Sequence, residues 1–270
     1  MDLTNLMATK LPRALSDSQR AELDRNPDYI RTGGKCPVCR GTGTYRFRGE
    51  DHECPTDEYG SHPMLQLFKL YCLANIPLEY QVLDWNEYPH NEHRDRIEKY
   101  ITNFETARMS GFGWEIMGKR LGVGKTMTAA HIAKALALDG YSVWFIQFME
   151  MKSLYELEDA VRRDWIRSKL TDAEFLVIDD ILKPRSDKMR SFFEDQLEEV
   201  IRHRTSRNLP TATTTNMLEE DLEREFPRIH SLLSAKQFRI ELQGADYRVE
   251  HGLENEEMIL SGEVRPLTWS

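Results

Sequence analysis

Gly122-Val123-Gly124-Lys125-Thr126 stands between an apolar run, Phe112 to Met117, and a helix-forming stretch that begins at Met127. Strand, glycine loop and helix in that order are the layout of a phosphate cradle. Glycines let backbone N–H groups turn inward toward phosphate oxygens, and the helix adds its positive N-terminal end. Lys125 is placed to reach the β and γ phosphates, and the Thr126 hydroxyl to ligate Mg²⁺. With Gly118, Gly122, Val123, Gly124 and Met127 they make up the expected ATP-binding set. The loop departs from G-x-x-x-x-G-K-[ST]. Lys119 stands where the first glycine belongs and Gly118 comes one residue early, which reads as a one-residue insertion. A chance glycine turn before an ordinary helix is the competing reading, and a second motif weighs against it.

That motif is Phe175-Leu176-Val177-Ile178-Asp179-Asp180, an apolar run ending in two carboxylates. Parallel strands buried on both faces read as continuous apolar runs, and open α/β sheets bind ligands at the strands' carboxyl ends. Asp179 is the expected Mg²⁺ partner through water, and Asp180 the group that polarises the attacking water. A merely capped strand end is the bland alternative.

From residue 112 onward strands and helices alternate. Strands are predicted at 112–117, 142–148, 174–179, 210–215 and 237–242, with helices at 126–139, 150–169, 188–206 and near 218–235. The fold class is therefore α/β, a doubly wound parallel sheet flanked by helices. The chain of 270 residues has room for this domain and a smaller one. The expected division is an N-terminal arm over 1–30, a cysteine module over 31–75, a linker and leading helix over 76–110, the nucleotide domain over 111–248, and a C-terminal tail over 249–270 without an assigned role. Hydrophobic residues make up 40% and charged residues 30%, with no long uncharged apolar segment and no basic–apolar leader, so no membrane partner is expected and a cytoplasmic site is. The net charge of -9 argues against a surface coated by nucleic acid, though not against a local basic groove.

The 4 cysteines, Cys36, Cys39, Cys54 and Cys72, all fall in the first third of the chain. Cys36-Pro-Val-Cys39 places two thiolates for one tetrahedral ion, and Cys54 and Cys72 complete the preferred Zn²⁺ set, with His52 as a competitor for either. Two disulfides, or a free buried Cys72 in the apolar run Met64 to Ala74, are the structural alternatives. Between the ligands, Tyr45-Arg46-Phe47-Arg48 alternates aromatic and basic side chains, which suits either single-stranded DNA or a half-exposed hairpin strand.

These features, with Ala74-Asn75-Ile76-Pro77, Thr213-Thr214-Thr215-Asn216 and Gly244-Ala245-Asp246-Tyr247-Arg248, occur in an order that resembles the bacterial and phage replicative helicase loaders of the DnaC/DnaI and IstB-like AAA+ group. The likeness spans most of residues 31–248. It implies an AAA+ P-loop ATPase behind a small zinc-binding N-terminal domain that engages the hexameric helicase. It also implies binding to single-stranded DNA, assembly of several copies on the helicase, and a bacterial cytoplasmic setting, host- or phage-encoded. By the same resemblance Lys125, Thr126, Asp179 and Asp180 match the phosphate lysine, magnesium hydroxyl and acidic pair, and Asn216 matches the polar sensor.

One departure concerns the arginine that such loaders carry in a Ser-Arg-Leu string to reach a neighbour's γ-phosphate. Here the string is Ser231-Leu232-Leu233, leaving Arg228 and Arg204 as candidates for that role. Leu232, and Asp180 in place of the more usual glutamate, suggest slow turnover. Other readings are a transposition helper ATPase of the same group, disfavoured by the cysteine module, a small-molecule P-loop kinase, and a zinc-dependent adaptor with a vestigial nucleotide site.

Overall fold

The computed structural model describes residues 15–54, 62–86, 93–155, 159–183 and 187–268. In chain order the strands are β1 (Thr44–Phe47), β2 (Glu50–Glu53), β3 (Gly113–Met117), β4 (Val143–Gln147), β5 (Phe175–Ile181), β6 (Thr211–Thr215) and β7 (Gln237–Glu241). The helices are α1 (Asp17–Leu23), α2 (Pro27–Arg31), α3 (Pro63–Leu73), α4 (Leu78–Gln81), α5 (Arg94–Thr102), α6 (Phe104–Ser110), α7 (Lys125–Leu138), α8 (Phe148–Tyr155), α9 (Ala160–Asp172), α10 (Asp187–Ser206), α11 (Glu219–Glu225), α12 (Pro227–Ser234) and α13 (Tyr247–Ser261).

β4, β5, β6, β3 and β7 lie side by side in that order as one parallel sheet. The period of two along each strand divides its side chains between two cores. Phe145 and Val177 join the core under α7, while Trp144, Ile146, Leu176 and Ile178 join the one under α9 to α12. Both faces are thus covered, which is why the strands read as unbroken apolar runs. Ala129, Ala130 and Ala133 are fully buried on α7, and their small side chains let that helix lie close to the sheet it crosses.

Two helices expected to be continuous are broken. The segment expected at 150–169 is α8 and α9, the second starting where the Asp159 carboxylate accepts the Arg162 N–H at 3.1 Å. The segment near 218–235 is α11 and α12, because Pro227 lacks the donor that would continue α11 and instead opens α12. The expected C-terminal tail holds a helix, α13, and residues 269–270 of it lie outside the described residues, as do residues 1–14 of the expected arm.

The cysteine module is not set apart from the sheet. One continuous apolar core runs from Cys36, Cys39 and Cys54 through Leu67, Phe68 and Tyr71 of α3 to α7 and β3. The end of the chain ties both together. Glu263 accepts the N–H groups of Arg48 and Gly49 at the β1–β2 turn, at 2.8 and 3.0 Å, and the Val264 N–H donates to the Arg46 carbonyl at 2.8 Å. Further on, the Thr268 hydroxyl meets the buried Lys134 ammonium of α7 at 2.6 Å, and the Thr268 carbonyl accepts the Tyr71 hydroxyl at 2.7 Å. Among the described residues no helix is long and apolar enough to cross a membrane.

Arg204 is 0% exposed. It donates to the Thr211 hydroxyl and to the carbonyls of Leu170, Ala173 and Pro210, stitching the end of α10 to α9 and β6. It is therefore a structural residue and cannot serve a neighbouring copy, which corrects its candidacy as a trans-acting arginine. Arg204→Ala strands several buried acceptors and is expected to cost about 3 kcal/mol in urea unfolding, whereas Arg228→Ala, at an exposed position, is expected to stay within about 0.5 kcal/mol.

Candidate nucleotide site and metal centre

Gly122 and Gly124 take φ of 71° and 90°, the left-handed region that an L side chain resists, and they turn the loop into the first residue of α7, Lys125. A Cβ on Gly122 would also collide with the Asp246 carboxylate, 1.6 Å away, because residues 244–248 lie across this loop. The Tyr247 N–H donates to the Gly122 carbonyl at 3.1 Å, and Arg120 donates to the Gly244 carbonyl at 3.2 Å. The Lys125 ammonium is mostly buried and donates to the carbonyls of Gly118 and Arg120 at 3.0 and 2.7 Å. Burial lowers its pKa, and Arg248 lowers it further, while Asp180 and Asp179 pull it back up. A cation at the mouth of a helix N-terminus, satisfied only by weak carbonyl acceptors, suits an anionic phosphate.

Asp179 ends the buried part of β5 and is 4% exposed. Burial raises its pKa to about 6, against hydrogen bonds from the Thr214 and Thr126 hydroxyls, and Asp180 and Glu79 raise it further. The Thr214 hydroxyl donates to Asp179 at 2.6 Å and accepts the Asp180 N–H at 2.8 Å. Between Ile178 and Ile181 the register with β6 slips, and Asp180 sits in that irregularity with φ of 56°. A bulge of this kind re-aims a side chain, and aspartate tolerates the left-handed region better than most residues. The Asp180 carboxylate is thereby turned out to solvent, where it accepts the Asn216 amide at 3.1 Å. Lys125, Thr126, Asp179, Asp180 and Asn216 converge at the carboxyl end of the sheet, the arrangement phosphoryl chemistry needs.

Other residues of this site were not singled out from the sequence. Thr214 lay inside the quoted Thr-Thr-Thr-Asn string, where its direction could not be read. Tyr80, on α4, lies near enough to Thr126 for that hydroxyl to act on its titration, and it packs on Phe145 at 6.4 Å; its pKa is raised by burial, then by Glu79 and Asp179. Arg248, from the Gly-Ala-Asp-Tyr-Arg string, acts electrostatically on both Lys125 and Tyr80.

The metal-ligand set differs from the expected one. Donor atoms of Cys36, Cys39, Cys54 and His62 all lie within 4.8 Å of one another, with Cys39 Sγ 3.1 Å from His62 Nε2. Cys72 is not among them. It lies in the buried face of α3, where burial raises its pKa. His52 is not among them either. Its ring stacks on Tyr45 at 5.3 Å across the β1–β2 hairpin, 23° from parallel, and it meets the Phe47 carbonyl. His62 escaped the sequence reading because it comes eight residues after Cys54, a spacing that matches no metal motif. Within the cluster Cys36 is drawn down to about 5, chiefly by the hydrogen bond from Cys54, whose own pKa rises for the same reason. Three converging buried thiols and an imidazole are donors that fit a tetrahedral zinc ion. The aromatics Tyr45 and Phe47 take the half-buried side of the hairpin, and Arg46 the exposed side.

Arg228 is exposed on α12 and faces Glu198 at 3.6 Å. Leu232 packs against the core beneath α9 to α12.

No family model matches the chain. The replicative helicase loader DnaI of Bacillus subtilis (strain 168) is 31% identical over 137 residues, a match that covers 47% of this chain and 42% of that protein. The chain thus matches less than half the length of this curated relative. Among solved structures, a crystal structure of DnaI has a TM-score of 0.52 at 19% identity, covering 63% of this chain and 93% of that one. The replication initiator DnaA bound to AMPPCP and single-stranded DNA has a TM-score of 0.51 at 13% identity, covering 70% of this chain and 57% of that one. At these identities the solved structures speak for the fold alone, a five-stranded parallel sheet flanked by helices. The resemblance to the DnaC/DnaI helicase-loader group is borne out.

The Asp179 carboxyl is held near 6 in the fold against an ordinary 3.8, so its neutral form adds stability at low pH that is lost as pH rises through about 6. Asp179→Asn, neutral throughout, is expected to exceed the parent by about 2–3 kcal/mol at about pH 8 without Mg²⁺ and to lose that advantage near pH 4, by urea unfolding. For the metal centre, elemental analysis of purified protein is expected to find about one zinc per chain, lost in Cys54→Ser and His62→Ala and kept in Cys72→Ser.

Proposed function

We propose that this protein is an ATP-dependent loader that binds a hexameric replicative DNA helicase and delivers it to single-stranded DNA. The observation that carries the reading is the joining of two sites in one packed body. A phosphate loop facing paired acids shares its core with a three-cysteine, one-histidine centre, on a chain similar to a replicative helicase loader.

In this reading Lys125 exchanges its carbonyl partners at Gly118 and Arg120 for the phosphates of ATP, and the loop's N–H groups close on the same oxygens. Thr126, and Asp179 through water, would hold the accompanying magnesium, and Thr214 fixes the Asp179 carboxylate. Asp180 orients and polarises the attacking water, and Asn216 steadies that carboxylate from the neighbouring strand end. Cys36, Cys39, Cys54 and His62 would hold zinc, which when bound supplies a rigid cross-link between the β1–β2 hairpin and the start of α3. The head so fixed is the helicase-binding element, and several copies assemble on the helicase.

Lys125→Ala is expected to cut ATP turnover by about a hundredfold or more and to abolish helicase delivery to single-stranded DNA. The parent should form an ATP-sensitive complex with the replicative helicase in size-exclusion chromatography. Unchanged turnover in the variant, or a parent that never meets the helicase with or without ATP, would defeat the assignment.

A further inference from the structure

The β7 edge of the sheet carries a feature that the nucleotide and metal sites do not use. A cavity of about 470 Å³ opens between α5, α6 and strands β3 and β7. Its floor is apolar, formed by Tyr100, Phe112, Trp114 and Phe238, and its rim carries Arg96 and Lys99. Phe238 is 37% exposed on this edge strand, and the Arg96 guanidinium lies 5.7 Å from the Trp114 ring and 6.0 Å from the Phe238 ring. Phe112 precedes β3, so the cavity lies toward the amino ends of the strands, opposite the phosphate loop.

Helix α13 presents the converse surface. None of its residues is buried, and Val249, Leu253, Ile259 and Leu260 are 68%, 61%, 78% and 81% exposed. At about 100° per residue, Val249, Leu253 and Leu260 fall within about 40° of one another on the helix, with Ile259 to one side. Glu250 and Glu257 border the same stripe on the other side. The face turned toward the β1–β2 hairpin carries Tyr247, His251 and Met258, with Glu250 and Glu257 on the boundary between it and the aliphatic stripe. Large exposed aliphatic side chains in register on one helix mark a contact surface.

Stripe and cavity match in kind. One is a helical aliphatic ridge flanked by carboxylates, the other an aromatic hollow flanked by cations, the pairing of helix-in-groove recognition. On a chain of net charge -9, the cationic rim is the place where a second acidic copy can approach without net repulsion. We infer that α13 of one copy docks in the Phe238 cavity of another. Because each copy carries both halves, the contact propagates head to tail, closing into a ring or running on as an open helix according to the rotation between copies. It goes beyond the proposed loader activity and requires neither helicase nor nucleotide.

The test is sedimentation velocity of the full chain alone, up to about 100 μM, a range that captures weak association. The parent is expected to self-associate, and Leu253→Glu/Leu260→Glu, on the ridge, and Arg96→Glu/Lys99→Glu, on the rim, are each expected to weaken association by about tenfold or more. Mixing the two variants should restore a pairwise complex, since one retains an intact cavity and the other an intact helix. Adding Glu250→Lys/Glu257→Lys to the rim variant should restore its self-association. A parent that stays monomeric throughout overturns the inference. So do ridge variants that associate like the parent, including the case in which they lose only a helicase partner, which would assign α13 to that partner instead.

Discussion

Burying a carboxylate in the middle of a sheet is costly unless hydrogen bonds compensate, and the site is organised around Thr214, whose hydroxyl supplies a short one. Its hydroxyl donates to Asp179 and accepts from the backbone of Asp180, so a single side chain both solvates the buried acid and stabilises the bulge that turns its neighbour outward. Two adjacent aspartates thereby acquire different environments, one dry with a raised pKa and the other solvated and held by an amide. The threonines of β6 are otherwise unusual in a central buried strand. Thr211 is spent on Arg204 and Thr215 on the Ile181 carbonyl and the Met217 N–H, so most of the hydroxyls on this strand are paired. A valine would pack equally well at position 214 and would leave the acid pair unsupported.

The segments that flank the sheet on either side are brought to the same place. Residues 74–80 cross β4 through bonds between Ala74, Asn75 and Phe145 and bring Tyr80 to the Thr126 hydroxyl. Residues 244–248 cover the phosphate loop, α13 follows, and the chain then returns past the cysteine hairpin to Lys134 on α7. Lys134 is buried and its pKa falls to about 7, the cost of fastening this return into the helix that begins at the phosphate loop. Head, nucleotide loop and C-terminal segment therefore share one set of contacts, and displacing the return segment would disturb both sites.

The parallel sheet was legible because burial on both faces leaves a signal that needs no partner to interpret, an apolar run of strand length ending in acids. The glycine turn into α7 was legible because left-handed backbone at Gly122 and Gly124 calls for glycine. What failed were choices that depend on three-dimensional closure. Cys72 and His62 each had the chemistry to complete the cluster, and only the turn of α3 decides between them: it buries Cys72 against Gln81 and leaves His62 at the helix start beside Cys39. Arg204 looked like a helix charge in a basic triplet, and nothing local announced that four acceptors at the end of α9 and the start of β6 wait for it. Breaks at Asp159 and Pro227 carried cap and proline signals that the apolar periodicity across them concealed.

Under the proposed function, Leu232 at the position where the resemblance leads one to expect an arginine bears on how ATP would be used. Leu232 is drawn into the core under α9 to α12, so this turn of α12 spends its side chain on packing rather than on reaching outward. Arg228, one turn earlier, is exposed but faces Glu198, and recruiting it to a neighbour would cost that contact. In that reading the groups a single chain would bring to hydrolysis are Asp180, shorter than a glutamate by one methylene, and Asn216. A transition state deprived of a neighbour's positive charge loses a large electrostatic contribution. Under the proposed function, ATP then serves better as a bound switch than as a rapidly consumed fuel, and assembly through α13 is free to proceed without coupling each contact to turnover.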